Sequence, residues 1–303
     1  MKAILIAGPT ASGKSGATLD LAGRLGGTII NAESMQVFRE LRLLTARPSE
    51  AEEARMPHRL YGTVAAAEAY SVGRWLGDVA SAIAEAREEG RLPIFVGGTG
   101  FYFKALTEGL APVPDIPAEI RSYWRKRAEE LGRDDLHAEL AARDSAMAAR
   151  LGPADPQRIV RALEVIDATG VSLAEWQGGN AAPLLEAAAT LRLVIAPERE
   201  PLYAAIDARF DRMIEQGALD EVRALMELKL DPELPAMRAH GVRELAAYIS
   251  GALTRADAVA KAKTESRRYA KRQMTWLRRF MSNWDWFPNA ATVEAATGQL
   301  PTP

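Results

Sequence analysis

The stretch Gly8-Pro9-Thr10-Ala11-Ser12-Gly13-Lys14-Ser15 constrains the fold of this chain more than any other segment. It matches the phosphate-binding loop pattern in full, and it sits where that pattern has meaning. An apolar run from Lys2 to Ala7 precedes it and a helical pattern from Ser15 to Leu25 follows, giving strand, loop, helix. The glycines let backbone N–H groups turn inward on an anion at a helix N-terminus. Lys14 adds a point charge, and the Ser15 hydroxyl suits a Mg²⁺ shared with the phosphates. The loop does not say which phosphate compound it holds; ATP is the generic expectation for a nucleotide-binding loop of this kind.

Short apolar runs recur at Thr28–Ile30, Leu92–Val96 and Leu191–Ile195, alternating with helical segments such as Val72–Glu89, which carries Trp75, Leu76, Val79 and Ile83 on one face. Buried strands alternating with helices predict an α/β fold, a P-loop NTPase-like parallel sheet flanked by helices. Pro112, Pro114 and Pro117 interrupt the pattern, and the charged, alanine-rich segment beyond them predicts a helical insertion domain at 113–189, closed by a loop through Gly178, Gly179, Asn180 and Pro183. The core domain is then discontinuous, 1–112 and 190–303.

The 303 residues are 48% hydrophobic, the composition of a chain with a substantial core. The absence of cysteine excludes disulfides, thiolate metal sites and cysteine nucleophiles. No apolar run reaches membrane-span length and no leader fits before the first strand, so a cytoplasmic, monomeric protein with no membrane partner is expected. A net charge of -2 argues against a uniformly basic coat, yet Arg255 to Arg279 carries nine Lys or Arg against two acids.

A P-loop NTPase usually has an aspartate for Mg²⁺ at the end of a second strand, but here Leu92–Val96 runs into Gly97-Gly98-Thr99-Gly100. The strand-end acid is instead Glu33, followed by Ser34, Met35 and Gln36, and both strand ends should open on the edge that holds the P-loop. An acid interacting with a helix dipole is the plainer reading of Glu33.

Together Gly8–Ser15, Asn31–Arg39, Gly97–Tyr102, Gln157–Val165 and Ser266–Gln273 resemble the tRNA dimethylallyltransferase family, in that family's order and across nearly the whole chain. The resemblance implies transfer of a dimethylallyl group from dimethylallyl diphosphate, with Mg²⁺, to the N6 amine of the adenosine 3′-adjacent to the anticodon, in tRNAs reading codons that begin with U. Gly8, Thr10, Ala11, Ser12, Gly13, Lys14 and Ser15 would then hold a leaving diphosphate, with Ser15 on the metal and Arg223 nearby. Glu33 stands at the position of the general base, Thr99 at that of a hydroxyl contacting the target base, and Lys14 beside the leaving group. The family usually has aspartate where Glu33 stands, so the carboxylate is displaced by about one C–C bond, ~1.5 Å. Phe38 replaces the commoner tyrosine and Ser266 a threonine.

The anticodon stem-loop contacts implied by the resemblance are Glu33, Ser34, Met35, Gln36, Thr99, Arg121, Gln157, Arg158, Arg161, Arg238 and Arg243. The terminal basic segment adds Arg267, Lys271 and Arg272: Arg267 with Lys271, and Arg268 with Arg272, form i,i+4 pairs on faces suited to phosphates. Each basic residue alone reads equally as a solvated helix face; the cluster points to a polyanion. His58 and His240 read as structural, and Trp276, Trp284 and Trp286 as core cover. Two other functions stay open at this level, a P-loop small-molecule or nucleotide kinase using the insertion as a lid, and a tRNA-binding protein of weak activity.

Overall fold

The computed structural model describes residues 1–179 and 182–298. Six strands, β1 (Ala3–Ala7), β2 (Gly27–Asn31), β3 (His58–Arg59), β4 (Leu92–Gly97), β5 (Thr190–Ile195) and β6 (Asp285–Phe287), form one sheet in the order β3-β2-β4-β1-β5-β6. Every neighbouring pair is parallel, so all six strands end on the same edge. The short edge strands β3 and β6 carry too few residues to show a period of two, which is why the sequence pattern passes over them.

The alternation of side chains along a strand sorts the apolar residues onto two faces. Ile4, Ile6, Ile29 and Ile94 pack against the helix Lys14–Leu25, while Leu5, Ile30 and Phe95 pack with Trp75, Val79 and Phe103 of the opposite layer. The helix Lys14–Leu25 buries Ala17, Leu21 and Leu25, and Gly26, at φ 61°, ends it by donating its N–H to Ala22 O. At its start, Gly13 has φ 84° and no side chain caps the first turn, so those N–H groups are left for an anion.

The chain divides into two compact units, Met1–Thr107 with Leu184–Pro303, and Glu108–Pro183. Each bound of the second lies a few residues earlier than in the expected 113–189, because the Leu185 N–H donates to Leu106 O at 3.1 Å and so ties the chain back to the first unit just outside Glu108–Pro183. That unit packs the helices Ala118–Glu130, Arg133–Arg143 and Pro156–Thr169 around Trp124, Leu140 and Leu163, with Trp124 Nε1 donating to Asp167. Asn180, in the expected loop, lies outside the described residues. Among those described, no helix is long and apolar enough to cross a membrane.

Candidate active site

Parallel pairing brings the ends of β1, β2 and β4 together: Gly8 N–H donates to Gly97 O at 3.2 Å, and Thr99 N–H to Ala32 O at 3.3 Å. The close approach leaves no room for a side chain at Gly98, where a Cβ would stand 2.1 Å from Gln273 Nε2 and 2.8 Å from Glu33 Oε2. A cavity of about 590 Å³ opens over this edge. The P-loop lines one end of it, and Met35, Leu44, Phe210 and Met213 give it an apolar wall.

Glu33 is aimed into this region by Asn31, which is fully buried. Asn31 Oδ1 accepts the Glu33 N–H at 2.8 Å while Nδ2 donates to Glu33 O and Leu60 O. The Glu33 carboxylate accepts from four groups: Oε1 from the Thr99 hydroxyl at 2.7 Å and the Tyr269 phenol at 2.9 Å, Oε2 from Gly98 N–H at 2.9 Å and Gln273 Nε2 at 3.4 Å. Gln273 also donates to Gly98 O and accepts Thr10 N–H at 2.9 Å, so one amide joins the P-loop to the acid. Burial and the neighbouring Glu33 charge push the Tyr269 phenol well above its ordinary range, which keeps its proton in place for this bond.

At the P-loop end, Lys14 Nζ donates to Pro9 O at 3.1 Å. Burial lowers its pKa to about 8, against the pull of Glu33 and with the help of Arg209. Arg209, lowered to about 10 chiefly by burial, donates to the Thr10 hydroxyl and lines the cavity. Ser12 Oγ is buried in the loop with no hydrogen-bond partner, and Ser15 is exposed and lines the cavity.

Several expected contacts are corrected. Arg223 does not line the cavity; it is exposed on the helix Ala218–Glu227 and paired with Asp220 at 2.6 Å, because Val222 and Leu225 take that helix's inward face. The arginine that reaches the P-loop is Arg209, which donates to the Thr10 hydroxyl and belongs to no motif in the sequence. Arg267 does not form a phosphate-facing pair with Lys271: it is locked onto both oxygens of Asp207 at 2.6 Å, tying the helix Arg255–Phe280 to Arg199–Glu215. Arg268 likewise pairs with Glu265. Lys271 and Arg272 are exposed, and the Arg272 guanidinium lies 5.7 Å from the Tyr269 ring centre.

The remaining basic residues are spread out. Arg158 pairs with Asp155, Arg161 with Glu164 and Arg238 with Glu233, while Gln157 and Arg243 are exposed. Arg121 has its Nε buried without a partner. Ser34 N–H donates to Thr99 Oγ1 and Gln36 Nε2 to Thr45 O, so these two hold the loop that carries Met35 to the cavity. His240, read as structural, lines the cavity and stands 4.5 Å from the Tyr269 ring centre. Burial and then Arg272 lower its pKa, favouring the neutral imidazole. The signal for Tyr269, Gln273 and Ser266 was their i, i+3, i+4, i+7 spacing on one helix face.

A phosphate loop joined through Gln273 to a fixed carboxylate, beside a partly apolar cavity on a parallel sheet, defines a P-loop α/β transferase. The family model for IPP transferase matches residues 36–280. Relatives named tRNA dimethylallyltransferase in Bradyrhizobium sp. (strain BTAi1) and Azorhizobium caulinodans are 55% and 53% identical, over 98% of this chain and 96% of theirs. The chain belongs to the IPP transferase family. Among solved structures, the tRNA isopentenylpyrophosphate transferase of Bacillus halodurans is 33% identical with a TM-score of 0.67, covering 94% of this chain and 89% of that one. A eukaryotic dimethylallyltransferase acting on tRNA is 27% identical with a TM-score of 0.81, covering 98% and 76%.

Proposed function

We propose that this enzyme moves a dimethylallyl group from dimethylallyl diphosphate to the N6 amine of the adenosine 3′-adjacent to the anticodon in tRNAs reading codons that begin with U. The observation that carries the reading is the Glu33 carboxylate, fixed by four donors and joined through Gln273 to the P-loop. The allylic C–O bond breaks and its electron pair leaves on diphosphate, while a C–N bond forms and the amine loses a proton. Lys14, Arg209 and the loop N–H groups stabilise the departing charge. Glu33 receives the proton as the weakly nucleophilic aromatic amine attacks. Of the four bonds to its carboxylate, the one from Gln273 is the longest, and that amide keeps Gly98 O as a partner, so it yields to an incoming N–H.

The donor set fits Mg²⁺. Ser15 offers one uncharged oxygen to the cavity, and the described residues hold no cluster of three or more His, Asp or Glu that would cage a cation. A Mg²⁺ ion, which keeps several waters and takes phosphate oxygens, suits such a site, with Ser15 as its protein ligand. When bound, it supplies further neutralisation of the leaving diphosphate.

Radiolabelled dimethylallyl diphosphate, Mg²⁺ and undermodified tRNA, followed by digestion to nucleosides, tests the proposal. Label is expected in a prenylated adenosine. ATP turnover without label transfer would restore the kinase reading.

A further inference from the structure

The cavity has a wall whose position is set by an acid outside it. Glu221, on the helix Ala218–Glu227, accepts three consecutive backbone N–H groups: Oε2 from Arg42 at 2.8 Å and Leu43 at 2.7 Å, Oε1 from Leu44 at 3.0 Å. Converging backbone N–H groups make an anion-binding concavity, filled here by the protein's own carboxylate. From the other side Gln36 Nε2 donates to Thr45 O at 2.9 Å and Ala46 O at 2.8 Å. The loop is thus clasped on both sides of Leu44, a residue that lines the cavity.

Leu44 meets Phe210 at the apolar end. A Cβ on Gly241 would lie 3.0 Å from Leu44 Cδ2 and 3.1 Å from Phe210 Cε2, so Leu44 and Phe210 pack side by side over Gly241. Phe210 directly follows Arg209 on the helix Arg199–Glu215, and Met213 lies one turn on. One rigid helix therefore supplies both the cation at the phosphate end and part of the wall at the apolar end. The helix fixes the placement of these side chains relative to one another, and the clasped loop fixes that of Leu44.

We infer that Leu44, held by Glu221, sets the length of the allyl chain that the donor carries. This rests on the reading that the cavity takes an allylic diphosphate. On this inference a five-carbon chain is accommodated and a second isoprene unit is stopped by Leu44 and Phe210. Glu221 touches neither donor nor acceptor and acts as a positioning residue.

The test compares dimethylallyl and geranyl diphosphate as donors to undermodified tRNA, with binding of inorganic diphosphate measured in parallel. The wild-type enzyme is expected to prefer the shorter donor by about a hundredfold or more in kcat/KM, within the reach of apolar pocket discrimination over several carbons. Leu44→Ala should raise the geranyl-to-dimethylallyl ratio by about tenfold. Leu44→Val, which removes less of the packing, should raise it by a smaller factor and guards against a folding defect in the alanine variant. Glu221→Gln turns an amide NH₂ toward backbone donors, frees the loop, and should move the ratio in the same direction, through donor KM more than kcat. A merely architectural role for Glu221 would instead lower activity on both donors in step. The gauge is overturned if the wild type uses both donors equally, or if these variants bind inorganic diphosphate normally while the ratio stays within twofold. Normal diphosphate binding with no transfer from either donor would overturn the transferase reading, and the gauge with it.

Discussion

Replacing Glu33 by glutamine preserves the side chain's shape but removes its proton acceptor, while Thr99 and Tyr269 still face it. Glu33→Gln should lower the single-turnover rate by about a hundredfold or more, the range of lost general-base catalysis, with tRNA affinity within a fewfold. An unchanged rate in rapid-quench measurements would remove Glu33 from that role. Lys14 carries a second prediction. Its pKa of about 8 in the free protein lies below the usual 10.5, and on the proposed function a bound diphosphate would restore the charged form. Diphosphate affinity should therefore fall, and binding take up a proton, as pH rises above about 8. Calorimetry of wild type against Lys14→Ala separates this from the titration of diphosphate itself. The sign for the ligand-free protein is opposite: folding disfavours the charged lysine, so this group adds stability as pH rises from about 8 toward 10.5. Glu33, Thr99 and the P-loop were legible in the sequence because each belongs to a contiguous motif whose strand-end context is local. Arg209 was not. In Asp207-Ala208-Arg209-Phe210-Asp211 it reads as one more charge on a helix, and only the fold carries it to Thr10.

The helix Arg255–Phe280 separates its work by face. Ser266, Tyr269, Ala270 and Gln273 turn inward to the site and core, while the basic residues divide between those tied to acids and those that face solvent. Lys271→Ala with Arg272→Ala should weaken tRNA binding and reduce the log–log salt slope by about 1.5, roughly 0.7–0.9 for each phosphate no longer neutralised. Arg267→Ala should leave that slope unchanged and lower stability by about 1 kcal/mol, since its pair with Asp207 is partly screened by solvent. A filter-binding series at several salt concentrations distinguishes the two; equal slopes for all variants would refute the division. The clustering of positive charge was visible in the sequence, but its neutralisation was not, because Asp207 lies 60 positions away on another helix. Arg223 was misplaced for a different reason: its partner Asp220 lies only one turn away, but which face of that helix the core takes is set by the packing of Val222 and Leu225.

At the level of the molecule, Leu106 and Leu185 are hydrogen-bonded neighbours although the whole helical unit lies between them in sequence. Replacing residues 108–183 by a short glycine-serine turn should therefore leave a folded sheet unit that still binds inorganic diphosphate, while tRNA affinity falls by an order of magnitude or more as Arg121, Arg158 and Arg161 are removed. Calorimetry and filter binding on the excised protein check both halves; loss of diphosphate binding would contradict it. The insertion was legible from its prolines and the end of the strand pattern, whereas its exact ends depended on the Leu106–Leu185 pairing. That arrangement also orders events on the ribosome. β1 is made first, yet one of its two neighbours is β5, so the edge formed by Ala3–Ala7 has no partner until Thr190–Ile195 has emerged. An unpaired apolar edge is an aggregation hazard, and here it lasts for most of translation. The helical unit, with a core of its own, is complete before the sheet can close. Nascent chains halted before residue 190 should consequently depend on chaperones, while chains released after it bury that edge within their own sheet.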